Sequence, residues 1–171
     1  DRVGGIVGVA ANTDFSIYGS DFYGLIGKGA PSTNSVGGLI GYINSSIKAQ
    51  GILKDCTQHG QIYHGVNYVG GLVGYHSGLS LHLENSKNGV EGEDGSGDIF
   101  LQNPSQAGGL IGYSGIARTD SEKVMLGCHN YGDILMEGTA NYVGGLIGYD
   151  KAPTTIGDEN DESLSCDNYG D

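Results

Sequence analysis

The stretch "YVGGLIGY", residues 142–149, sets three glycines among a valine, a leucine, an isoleucine and two tyrosines. Glycine costs a helix interior about 1 kcal/mol against alanine and weakens a strand as well, so neither element explains the stretch by itself. Its relatives do better. "YVGGLVGY" occupies residues 68–75, "SVGGLIGY" residues 35–42, "QAGGLIGY" residues 106–113, and a degenerate copy, "RVGGIVGV", residues 2–9.

The Gly-Gly pairs begin at Gly4, Gly37, Gly70, Gly108 and Gly144, at spacings of 33, 33, 38 and 36 residues. A second landmark keeps step with them: "FYGLI", "QHGQI", "GSGDI", "NYGDI" and the final "NYGD" align on Gly24, Gly60, Gly97, Gly132 and Gly170. Residues 1–171 therefore read as a single repeat domain, with variable segments such as "EGEDGSG" (91–97) and "PTTIGDENDES" (153–163) spliced between the landmarks. The first residue already falls inside a repeat, so the expectation is a segment of a larger protein.

Composition narrows the class. The 33 glycines come with only three prolines and no Gly-X-Y period, which excludes collagen. Apolar residues, at 37%, are too many for a disordered chain. The net charge of −12, from 20 acidic and eight basic residues, leaves no basic surface for phosphates, so neither nucleic acid nor an anionic membrane is expected as a partner. No apolar run approaches the roughly 18 residues of a membrane span, and no membrane insertion is expected.

A period of this length signals a solenoid, a propeller or a repeat array. Helical repeats are excluded by the glycines and by the lack of a 3.6-residue apolar pattern. The chain has no Trp, so a propeller's Trp-Asp signature is missing. What fits is an all-β β-solenoid, a right-handed parallel β-helix of about five repeats of roughly 36 residues. Each repeat is expected to make one coil of three strands: "GLIGY", a short strand before the cysteine position, and "GDI". Coils would stack about 4.8 Å apart, with equivalent residues forming ladders. The motif glycines are expected where the coil turns sharply or two faces approach, positions where a missing Cβ or a positive φ is needed. Leu39, Leu72, Leu110 and Leu146, with Ile6, would point inward, and Ile40, Val73, Ile111 and Ile147 to the other face.

"GGLIGY" followed by a cysteine-containing segment and "NYGDI" resembles the GLUG repeat, named for its Gly-Leu-hydrophobic-Gly core. That repeat is found in large secreted or surface-anchored bacterial proteins, including adhesin-like proteins and non-catalytic regions of IgA-specific zinc metallopeptidases. The resemblance covers nearly the whole chain in four good copies and one degenerate copy. It implies an extracellular or cell-surface stalk or scaffold in bacteria, with a host or cell-surface protein or glycan as partner, and it brings no catalytic residues.

The residues themselves point the same way. No His-Glu-x-x-His helix is present to hold a catalytic zinc, and His59 and His129 fall in landmark segments expected as turns. Cys56, Cys128 and Cys166 each precede a landmark glycine by four residues, so they share a ladder position. They are expected as buried free thiols, with a Cys128–Cys166 disulfide across adjacent coils as the geometric alternative. Tyr42, Tyr75, Tyr113 and Tyr149 end the motif: exposed, they form a stripe for sugar rings or a partner strand; half-buried, a ladder that stabilises the stack. A second set, Tyr68 and Tyr142 before Val-Gly-Gly, is absent from the other copies and is not expected to form a continuous stripe. Calcium at Asp158, Glu159, Asp161 and Glu162 is the one cofactor the acidic loops suggest, but the Asp-x-Asp-x-Asp-Gly spacing is missing and a solvated loop is expected. "GLIGKGAP" (24–31) lacks the ending of a phosphate loop and reads as a turn. The rival to a non-enzymatic structural or adhesive module is a polysaccharide-degrading β-helix enzyme, whose basic residue would have to be Arg118 beside Asp120 and Glu122.

Overall fold

The computed structural model describes residues 1–27, 34–65, 67–115, 120–151 and 153–171, the side chains of residues 64 and 65 excepted. Arg118 and residues 28–31 of the 24–31 stretch lie outside the described residues. The chain is a β-solenoid: every pairing between its strands is parallel, and each strand pairs with its equivalents one repeat away.

The first four coils are each divided into five short strands and the last into four, rather than the three expected. The first sheet stacks Arg2–Gly4, Ser35–Gly37, Tyr68–Gly70, Gln106–Gly108 and Tyr142–Gly144. The second stacks Val7–Ala11, Ile40–Asn44, Val73–Ser77, Ile111–Gly115 and Ile147–Asp150. The third holds Phe15–Tyr18, Gln50–Lys54, Ser80–Glu84, Lys123–Leu126 and Thr154–Ile156. The fourth is the landmark: Asp21–Phe22, Thr57–Gln58, Lys87–Asn88, His129–Asn130 and Asp167–Asn168. The fifth has four strands, Leu25–Ile26, Gln61–Gly65, Ile99–Gln102 and Ile134–Glu137. One extra strand is the landmark pair of residues; the other arises because the motif breaks in its middle, one strand ending at the first glycine, the second glycine and Leu bending, and the next strand beginning at the residue after Leu.

That bend corrects the expected facing of the motif. Leu39 and Ile40, adjacent in sequence, should alternate on a straight strand. Because the corner turns between them, both are fully buried in one core, as are Leu72 with Val73 and Leu110 with Ile111. The corner keeps its ladder: the amides of Ile40 and Val73 each donate to a leucine carbonyl of the next coil at 2.9 Å. At the ends the expectation weakens, since Ile6 is 42% exposed and Leu146 only half-buried.

The glycines act by close approach alone; none of the motif glycines has a positive φ. At the first position, a Cβ on Gly37 would sit 2.0 Å from the Ile40 carbonyl oxygen and 2.7 Å from Gly74 N. At the third, a Cβ on Gly74 would meet backbone of Val36, in the coil before, at 2.6 Å. The middle glycine presses on the fourth sheet: a Cβ on Gly109 would lie 2.2 Å from Gly145 O and 2.4 Å from Asn130 Cγ. This contact pinches the coil. On one side lies a core of Leu39, Leu72, Leu110 and the residues of the second and third sheets; on the other, a smaller core of Val36, Val69, Ile62 and Ile99 between the first and fifth sheets. The left-handed turn of the coil is elsewhere, at Gly19, Asp55, Asn85 and Gly127 (φ +50°, +55°, +47° and +58°), each one residue before the cysteine position.

Candidate interaction face

Register brings the motif tyrosines together. Val9, Tyr42, Tyr75, Tyr113 and Tyr149 are successive partners on the second sheet. Their rings stack with centroids 4.7, 4.8 and 5.7 Å apart and planes within 11°, 8° and 23° of parallel. All four are half-buried, and burial pushes the Tyr75 hydroxyl's pKa up. Each inner ring is covered on both faces by its neighbours, so a partner meets ring edges and hydroxyls.

Both ends of the stack carry a cation. The degenerate coil has Val9 where a fifth ring would stand, and the Arg2 guanidinium lies over the Tyr42 ring at 4.0 Å. Lys151 Nζ is 5.6 Å from the Tyr149 centroid. Tyr68 and Tyr142 form no continuous stripe of their own, since Gln106 separates them in their column, yet both border this face. Both lie on the first sheet in the same register column as Arg2; Tyr68 packs 5.1 Å from both Tyr75 and Tyr113, and Tyr142 4.6 Å from Tyr149. An open groove of about 830 Å³ runs beside the stack, with Arg2, Asn34, Asn67 and Tyr68 on its wall.

A second ladder, unread in the sequence, supports the corner behind this face. Phe22, Gln58, Asn88, Asn130 and Asn168 are successive partners on the fourth sheet. Asn88 Nδ2 donates to Asn130 Oδ1, and Asn130 Nδ2 to Asn168 Oδ1, each at 2.7 Å. Each of these amides also reaches a landmark carbonyl, at Gly97, Gly132 and Gly170. The ladder stops at Gln58, which is fully buried with neither amide atom hydrogen-bonded among the described residues, and it leaves Asn88 Oδ1 orphaned as well. Outward of it, Tyr131 and Tyr169 stack at 4.9 Å and Tyr23 on His59 at 4.1 Å. His59 and His129 sit within 4.0 and 3.5 Å of Asp21 and Asp167.

The core also holds charge. Lys123 takes an inward position that Leu81 holds one coil earlier, and its amine hydrogen-bonds Ser114 Oγ and Asp150 Oδ1, while Thr154 donates to the same carboxylate. Burial holds the Lys123 amine below its ordinary pKa. Next to Ser114 in register, His76 Nε2 donates to the Leu79 carbonyl (2.9 Å), and burial lowers its pKa to about 4. Ser114 is fully buried, so this group braces the interior.

In the acidic loop, Asp161 caps the 3-10 helix Glu162–Leu164 by accepting from Ser163 N, and Asp158 accepts from Asn160 N. These carboxylates serve the turn, and among the described residues no group of three potential ligands gathers for a metal. The cysteines fall in one column with Ser20 and Ser86, all free; Cys56 and Cys128 are buried and Cys166 half-buried. No helix among the described residues is long and apolar enough to cross a membrane.

Fold and face together define a β-solenoid with an aromatic flank. Comparison of the chain with protein-family models, curated proteins and solved structures returned no match.

Proposed function

We propose that this chain is a non-enzymatic structural or adhesive repeat module of a secreted or cell-surface bacterial protein of the GLUG-motif kind, serving as a stalk whose tyrosine flank meets a host or cell-surface protein or glycan. One observation carries the proposal: the residues repeated from coil to coil are those that contact the next coil. Gly, Leu, Tyr and Asn recur because each touches its own equivalent, while the segments free to vary, such as residues 90–96, lie outside the ladders. Such an array stabilises itself by nearest-neighbour contacts and offers a long lateral surface.

The ring geometry favours a protein or a hydroxyl-rich glycan edge over a sugar laid flat, since the ring faces are occupied. The test is to immobilise the purified chain and measure binding to panels of extracellular proteins and glycans, with Tyr68→Ala and Arg2→Ala beside the unmodified chain. Binding reduced at least tenfold by both, with melting unchanged within about 2 °C, is expected. Turnover of a polysaccharide that is abolished by changing one pair of carboxylates would replace the proposal with an enzymatic one.

A further inference from the structure

The column Ser20, Cys56, Ser86, Cys128 and Cys166 alternates serine and cysteine until its last two members. Register fixes this, because the residue after each pairs with its equivalent: Asp21 with Thr57, Thr57 with Lys87, Lys87 with His129, His129 with Asp167. Cys56 therefore has only serines as neighbours, and the next cysteine stands two coil steps away, roughly 9.6 Å at strand spacing. That exceeds the roughly 7 Å beyond which a disulfide cannot close. Cys128 and Cys166 stand a single step apart, roughly 4.8 Å, inside the Cα range of a disulfide.

Their side chains are already engaged. Cys128 N donates to Cys166 Sγ at 3.3 Å, and the two thiols donate to the Leu126 and Met125 carbonyls at 3.4 and 3.3 Å. Cys128 is fully buried, whereas Cys166 keeps part of its surface in solvent. A partly exposed thiol in front of a buried one has the layout of an attacking thiol with its resolving partner.

We propose that Cys128 and Cys166 are a redox-modification site, at which a small-molecule disulfide oxidises the pair to a disulfide joining the fourth and fifth coils. The Cys166 thiolate attacks one sulfur of the small disulfide, forming a mixed disulfide and expelling the other half as a thiolate. Cys128 then attacks Cys166 Sγ, its proton passing to the leaving sulfur, and the second small thiol departs. Two protein thiols are oxidised and one small disulfide is reduced to two thiols, so electrons and protons balance. The environment suits these roles. The Cys166 thiol is lowered to about 6 by the hydrogen bond from Cys128 and by the Cys128 amide, against the opposing effect of burial. Cys128 is raised by donating that bond and by burial. These directions match the exposure of the two sulfurs, the outer one placed to attack and the buried one to resolve.

The bond would join the fifth coil covalently to the fourth. The fifth coil is covered on one side only, and Val143 and Ile156 on it are 40% and 48% exposed.

The experiment treats the full chain with oxidised glutathione at pH 7.5, then counts thiols in denaturant and maps non-reduced tryptic peptides. The count is expected to fall from three to one, with residues 124–151 joined to 152–171. Serine is the fitting substitute because Ser20 and Ser86 already occupy the column. Cys128→Ser should stop at a single glutathione adduct on Cys166, and Cys166→Ser should keep both remaining thiols. A count that stays at three, a stable adduct on Cys166 of the unmodified chain, or equal labelling of Cys56 would each overturn the proposal.

Discussion

The hexapeptide "GGLIGY" occurs at residues 108–113 and again, unchanged, at 144–149. In the fourth coil Leu110 is completely buried and Ile111 is 2% exposed; in the fifth, Leu146 and Ile147 are only half-buried. Tyr113 is stacked between two rings, whereas Tyr149 stacks on Tyr113 alone, with Tyr142 tilted against it and Lys151 over its ring. Identical residues therefore contribute differently, and the difference is set by what stands on the next coil. Local sequence specifies the shape of a coil; burial, and with it most of the stability, belongs to the interface between coils.

Paired substitutions break or sharpen this contrast. Leu110→Ala should cost about 3 to 5 kcal/mol, the range for a fully enclosed leucine, while Leu146→Ala should cost roughly 1 to 2 because water already reaches its site. Equal losses in denaturant titrations would show that the end coil is as tightly packed as the centre. Gly109→Ala should follow at about 3 kcal/mol, since its Cβ would strike the Gly145 carbonyl oxygen as well as Asn130. At Gly145 the three atoms nearest the added methyl all belong to the exposed Asn168 side chain, which can give way more readily than backbone, so Gly145→Ala should cost about half as much.

The pH prediction concerns the central coils alone. His76, in the third, has a folded pKa of about 4 against 6.5 in the unfolded chain. Between those values the unfolded state binds more protons, so stability is complete above pH 6.5 and declines as pH falls toward 4, by up to about 3 kcal/mol. His76→Leu should remove that loss from denaturation midpoints compared at pH 7 and pH 4.5. The smallest effect is a gain. Gln58→Asn should extend the amide ladder to Asn88 Oδ1, stabilising the chain by about 1 kcal/mol, seen as a higher melting temperature.

Much of this was legible from spacing. The five Gly-Gly pairs and five landmark glycines fixed period, register and the stacked tyrosines, because a parallel solenoid turns equal positions into neighbours. The asparagine ladder escaped because residues 90–96 separate Asn88 and Gly89 from Gly97, so the third landmark reads "GSGDI" and hides the asparagine that belongs to it. Tyr68 and Tyr142 looked isolated because their column partners are Arg2, Ser35 and Gln106, and only the fold lays that column beside the motif tyrosines. Lys123 falls in the strand expected before the cysteine position, where nothing in "TDSEKVMLGC" signals its burial; that depends on Asp150, a coil away.

The excursion at residues 90–96 leaves and returns almost at one point. A Cβ on Gly97 would lie 2.4 Å from Gly89 N, and both glycines are left-handed, at φ +79° and +78°. The ladders run past it uninterrupted, and lengthening a loop whose ends are already held costs only about 0.6 kcal/mol per doubling. This site is therefore a graft point: a foreign epitope, a binding peptide or a small folded domain inserted between Gly89 and Gly97 would be displayed at a fixed height on the solenoid without asking the coils to change.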